Sequence, residues 1–320
     1  MTDTEPLDGD LADVVAEFEE RGVPPWYALS VGSARRLEDE LFSAGDGPAM
    51  ATVQEYGIDG PGDDLPIRVY RPERGATDGD DLPVLVFYHG GGWTLGTLDS
   101  ADDICRELAS RVGCVVASVD YRLAPEHPFP AALEDANVAA EWVRAHAGSF
   151  GGDPGRVGLA GTSAGGNLAA ATALYAERDG RPPFACQVLL YPITDRSFAT
   201  DSYRENADGP LLTRRDMEWF WGRYLRSPVD GHHPFASVLR APDELFGDTP
   251  GVVATAGHDP LRDEGRAYAD RLGEHAAVDA HHFPSLAHGF CSLTDDVPAA
   301  DAAFDEVAAS VRAQLRVPEP

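Results

Sequence analysis

Arg156-Val157-Gly158-Leu159-Ala160-Gly161-Thr162-Ser163-Ala164-Gly165 is the stretch that decides the fold. Its first half is a short apolar run of strand type, and its second half is a G-x-S-x-G turn centred on Ser163. An Ala-rich helical stretch, Asn167 to Glu177, follows directly. Strand, tight turn and helix in this order form a nucleophile elbow. The glycines let two backbone segments approach closely while the serine backbone is held strained, so that Oγ projects above the sheet. The helix also points its N-terminal amides toward any anion forming at Ser163. The pentapeptide alone occurs by chance in many chains; with its flanks it reads as a nucleophile.

A serine hydroxyl needs a base within hydrogen-bond reach, itself oriented by a carboxylate. In this architecture the chain order is serine, acid, histidine. Among the seven histidines downstream, His288 stands out, because Ser285 to Phe290 reads as a loop after the strand Val278 to Phe283. Open parallel sheets gather their chemistry at such strand ends. His281 and His282 lie within that strand and read as packing or surface residues. His232 and His233 read as loop polarity, and no metal-ligand spacing accompanies them. The acid should end the preceding strand, Val252 to Gly257, and Asp259 is the first carboxylate of the turn after it. Asp263 and Glu264 read as the acidic first turn of the next helix. A helix cap is the plainer reading of Asp259; its place between elbow and His288 favours the catalytic one.

Tetrahedral intermediates need amide donors aimed at the developing oxyanion. The strand Val84 to Tyr88 runs into His89-Gly90-Gly91-Gly92-Trp93. Three consecutive glycines have no merit in a core and a considerable entropic cost. The segment reads as an oxyanion loop supplying the amides of Gly91 and Gly92 beside that of Ala164, with Trp93 expected to bind substrate.

With these blocks in their order, the chain resembles the hormone-sensitive lipase family of α/β-hydrolases, a family of carboxylesterases. The resemblance extends to Asp120-Tyr121-Arg122-Leu123-Ala124-Pro125-Glu126-His127-Pro128-Phe129-Pro130-Ala131, to Glu205-Asn206 with Gly209 to Thr213 and Trp219-Phe220-Trp221, to Asp259 through Asp263 and to His288-Gly289-Phe290. It covers most of the chain from about Val53 onward. Thr162 stands where many members carry Asp, which resembles the subgroup with a Thr-containing elbow. Gly257-His258 stands where relatives often have a Glu and another residue. The resemblance implies a serine carboxylesterase acting on small-molecule esters of short to medium acyl chains, acetyl to hexanoyl, with no cofactor. An acyltransferase or amidase with the same triad, and a ligand-binding relative without turnover, remain the alternatives.

Strand-like runs at Val53–Ile58, Leu65–Tyr70, Val84–Tyr88, Cys114–Val119, Val157–Ala160, Cys186–Leu190, Val252–Ala256 and Val278–Phe283 alternate with helical ones without a break. That favours one α/β domain with a mostly parallel eight-stranded sheet flanked by helices. Asp59 to Asp64 is a hairpin-like connection suited to an antiparallel edge. Helices are expected at Ala131–His146, Ala164–Glu177, Asp263–His275 and Pro298–Leu315. Residues 51–192 and 240–320 are assigned to the catalytic domain. Residues 1–50 and 193–239, the latter rich in large aromatics, are assigned to an α-helical cap over the site.

The formal net charge is −29, and every one of the 25 basic residues is arginine. Such a surface repels nucleic acid and anionic membranes. The acid-rich, lysine-free composition is expected of a protein adapted to high salt, where the Debye length falls to about 3 Å. An arginine bias of the coding background is the rival explanation. Four scattered cysteines in a chain of this size do not suggest disulfides. Neither a signal peptide nor an apolar run of membrane-spanning length is apparent, so a soluble, cytoplasmic protein is expected. Asp8-Gly9-Asp10 and Thr77 to Asp81 read as polar turns. Exposed edge strands near the C-terminus leave a homodimer open.

Overall fold

The computed structural model describes residues 5–42, 47–73 and 81–317, so most of the turn expected at Thr77 to Asp81 lies outside it. The chain opens with helices α1 (Gly9–Glu20) and α2 (Val31–Phe42), the first capped by the Asp8 carboxylate on the amides of Asp10 and Leu11. Strands β1 (Met50–Asp59) and β2 (Asp64–Pro72) follow as an antiparallel pair with Asp59 opposite Asp64. Next come β3 (Leu82–Tyr88), α3 (Asp102–Val112), β4 (Val115–Val119), α4 (Ala131–His146), β5 (Gly152–Thr162), α5 (Ala164–Arg178) and β6 (Gln187–Leu190). Helices α6 (Asp201–Glu205) and α7 (Arg214–Tyr224) interrupt the alternation. It then resumes with β7 (Gly251–His258), α8 (Arg262–Gly273), β8 (Val278–Ala287) and α9 (Pro298–Gln314). Helix α3 joins those the sequence marks; Asp102 and Asp103 in its first turn and Gly113 in the left-handed conformation at its end are ordinary helix signals.

All eight strands form one sheet in the order β1-β2-β4-β3-β5-β6-β7-β8. From β4 across to β8 every pairing is parallel, and only β1 and β2 run against their neighbours. Strands β3 and β4 are buried along their whole length, which explains their unbroken apolar runs. Alternation still sorts the side chains: Val84, Val86 and Tyr88 face one core, and Leu85 and Phe87 face the other. The first core is covered by α4, α5 and α8, the second by α3 and α9. Helix α5 is buried on nearly every side, and its run of Ala and Gly lets it lie close to the sheet. Consecutive parallel strands linked this way all end at one edge, where the turns after β3, β5, β7 and β8 meet.

Helices α1, α2, α6 and α7 lie outside this layering. Within 193–239, Ile193 and residues between 209 and 220 line the cavity, whereas 225–239 pack on the body of the fold. Phe235 lies against Tyr175 of α5, and the Leu239 amide donates to the Thr194 carbonyl.

Candidate active site

Ser163 occupies the junction of β5 and α5 with φ 53° and ψ −113°. A non-glycine residue persists there only when its surroundings over-determine it. Its amide donates to the Leu190 carbonyl at 2.8 Å, and its carbonyl accepts from Asn167 and Ile193 at 3.1 and 3.2 Å. A side chain at Gly165 would fall on the Tyr88 carbonyl, so this glycine is what brings the helix onto the end of β3.

Asp259 and His288 follow the last residues of β7 and β8. Register pairs His258 with Ala287, so the next residue on each chain stands abreast of the other. The His288 Nδ1–H donates to Asp259 Oδ2 at 2.8 Å, and Nε2 lies 3.0 Å from Ser163 Oγ. Because a carboxylate only accepts, Nδ1 holds the proton and Nε2 is left to receive the serine hydroxyl. Asp259 is 1% exposed, and its Oδ1 accepts from the Leu261 amide at 2.8 Å. The structure therefore brings the three expected residues, far apart in sequence, into one hydrogen-bonded chain.

Two groups that sequence reasoning did not assign hold this corner. The Asn206 side-chain amide donates to the carbonyls of Gly257 and Asp259 at 3.3 and 3.2 Å, pinning the acid's turn. Glu264 is fully buried, and its Oε1 accepts the amides of Thr194 and Asp195 at 2.7 and 3.1 Å. Burial pushes this carboxyl well above the usual range. In the sequence it is indistinguishable from Asp263, its half-buried neighbour in the helix's acidic first turn.

At the end of β3, Gly91 and Gly92 adopt φ of 96° and 57°. A side chain at Gly91 would meet the Leu95 backbone, and one at Gly92 the Phe220 ring. Both glycines line a cavity shared with Ser163 and His288. Ala164 begins α5 directly behind the serine, and first-turn amides of a helix have no intrahelical acceptor. His89 is buried, stacks on Tyr121 at 4.2 Å and donates from Nδ1 to the Gly90 carbonyl at 2.8 Å. Burial pulls its pKa down to about 4, so the ring is neutral at pH 7.

Trp93 departs from expectation. Its side chain is fully buried and stacks on Tyr224 at 3.9 Å, with Trp221 at 4.8 Å, and it does not line the cavity. With φ 56° it turns away from the glycines, so it fastens the loop to α7 and does not face substrate.

The cavity measures about 380 Å³. Phe18, Trp26 and Leu41 wall it from the N-terminal segment, and Leu211, Met217 and Phe220 from the segment around α7. The two segments are joined where the Tyr27 amide donates to Asp216 Oδ1 at 2.9 Å. Asp216 also accepts from Thr213 in the capping box of α7. Elsewhere His281 meets Ser310 and His232 meets Arg240, and no metal-binding cluster occurs among the described residues. The Cys291 thiol is buried and pushed up to about 12, as suits an inert core residue. Among the described residues no helix is long and apolar enough to cross a membrane.

The family model described as the alpha/beta hydrolase fold matches residues 85–292. The carboxylic ester hydrolase LipN of Mycobacterium tuberculosis is 46% identical over 283 residues, covering 86% of this chain and 74% of that protein. The carboxylesterase NlhH of the same species is 41% identical, with 79% of each chain covered. Among solved structures, a thermostable esterase from Pseudomonas putida superposes with a TM-score of 0.91 at 34% identity, covering 98% of each chain. Fold, motif order and these likenesses agree, and the chain belongs to the hormone-sensitive lipase family of α/β-hydrolases.

Proposed function

We propose that this carboxylesterase hydrolyses short- to medium-chain acyl esters through an acyl-enzyme formed on Ser163. The observation that carries the reading is the unbroken sequence Asp259–His288–Ser163, with contacts of 2.8 and 3.0 Å. His288 takes the hydroxyl proton as Oγ attacks the ester carbonyl, and Asp259 holds the imidazole in the receptive tautomer and stabilises the imidazolium. The oxyanion rests on the amides of Gly91, Gly92 and Ala164. His288 then protonates the leaving alcohol, and afterwards activates the water that releases the acid.

The cavity-lining parts of residues 1–50 and 193–239 act together as the cap, and the limited volume beneath them sets the upper chain length at about that of a hexanoyl ester. A series of para-nitrophenyl esters from acetyl to decanoyl measures this limit. Ser163→Ala should lower hydrolysis about a million-fold while leaving the melting temperature unchanged. Substantial turnover by that variant would refute the mechanism. Product analysis with added alcohols or amines separates hydrolysis from acyl transfer.

The charge of −29 argues against nucleic-acid partners and supports adaptation to high salt. Stability should rise from low to multimolar KCl, and a melting series without that gain would count against it. The outer edge of β8 offers a seam for a homodimer, which gel filtration at several protein concentrations would reveal.

A further inference from the structure

One wall of the catalytic cavity carries a group that the hydrolytic steps do not use. Glu38 projects from α2, is only 8% exposed, and lines the same cavity as Ser163 and His288. Asp39, the next residue on the helix, places a like charge beside it. A side chain on Gly96 would fall on the His89 ring. His89 in turn bonds Gly90, whose own added side chain would stand 3.7 Å from the Ser163 Cβ. Glu38, His89 and Ser163 thus line one space.

Three independent features give this space its preference. First, no arginine occurs among the described residues lining it, although arginines pair with carboxylates over much of the surface. Second, His89 is 2% exposed and its Nε2 has no hydrogen-bond partner. With Nδ1 as donor, that nitrogen is an enclosed, unpaired acceptor on a residue that lines the cavity. Third, Asp216 is spent on Tyr27 and Thr213, while Glu19 stands exposed at the mouth. Salt adaptation explains acidic residues facing solvent, but a buried carboxylate without a cation is unfavourable and serves no solvation.

Resting on the esterase reading above, we infer that the cavity selects esters bearing an alkylammonium group, which Glu38 receives as its counter-ion. Burial, aided by Asp39, raises this carboxyl to about 7, and a bound cation would favour its ionised form. Glu38 and Asp39 also line a second cavity together with Arg35, Glu126 and His127.

The test compares charged esters with uncharged isosteres at pH 8 in about 1 M KCl, where long-range attraction to the acidic surface is screened. Dimethylaminopropyl acetate and isohexyl acetate place the difference in the alcohol. Ethyl dimethylaminobutanoate and ethyl methylhexanoate place it in the acyl chain. One pair should show a kcat/KM ratio of about ten in favour of the cation, and Glu38→Gln should bring that ratio close to one. Ratios at or below one in both pairs for the unaltered protein overturn the inference while its esterase activity stands. A ratio unchanged in Glu38→Gln also overturns it, since the preference would then belong to the general field. Hydrolysis of neither member of either pair, nor of para-nitrophenyl acetate, would remove the esterase reading itself and this inference with it.

Discussion

The floor and the roof of the cavity are held in different ways. On the floor, Ser163, Asp259 and His288 each sit one residue past a strand, and sheet register with backbone hydrogen bonds sets their positions. The roof of α1, α2 and α7 is joined largely through side chains. Asp216 receives the Tyr27 amide, and Arg35 reaches the carbonyls of Thr94 and Ala124 and the Glu126 carboxylate at 2.9, 3.0 and 2.7 Å. On the proposed mechanism the difference separates reaction from selection. A roof residue can change without displacing the nucleophile, whereas a floor residue answers to the whole sheet.

The contrast breaks most visibly if the floor proves tolerant. Asp259→Asn keeps the shape of the acid but presents an amide donor to Nδ1, leaving the proton on Nε2, where it cannot accept from Ser163. Activity on para-nitrophenyl acetate should fall about ten-thousand-fold with little change in melting temperature. A loss below about tenfold would mean that the geometry at this corner does not govern turnover.

Glu38 allows the roof to be tested by pH. Its carboxyl stands at about 7 in the folded chain against 4.5 for an ordinary glutamate. The folded state therefore binds this proton more tightly, and stability contributed by the protonated form is lost as pH rises from 4.5 toward 7. Glu38→Gln should thus be more stable than the parent by about 3 kcal/mol at pH 8, with no difference below pH 4.5. Urea midpoints at the two pH values measure it, and a variant equally destabilised at both would contradict the assigned burial.

The smallest effect is expected at the seam between the roof segments. Asp216→Ala removes the bond from Tyr27 and the cap of α7, costing about 1–2 kcal/mol. KM for hexanoyl esters should rise while kcat for acetyl esters stays within about threefold. An equal fall in kcat for both would show that the roof takes part in the chemical step.

Much of this was legible beforehand because strands and turns declare themselves locally. The eight apolar runs all became strands, and Asp59 to Asp64 became the antiparallel hairpin. Ser163, Asp259 and His288 could be named because each belongs to a short motif at a strand's end. Trp93 was misread because an aromatic beside glycines resembles a substrate wall. Only the φ of 56° and the stack on Tyr224 show that it turns inward.

Sequence alone determined the order of elements, the strand-turn-helix at Ser163 and the sign of the surface field, because these follow from neighbours along the chain. Tertiary structure decided which polar groups lie buried. Glu264 reads like Asp263 beside it, Asn206 like a loop amide, and Glu38 like one more acid on an acidic helix. Burial and partners are properties of what packs on a residue from elsewhere, and for these three the partners come from distant segments or from the far side of the cavity.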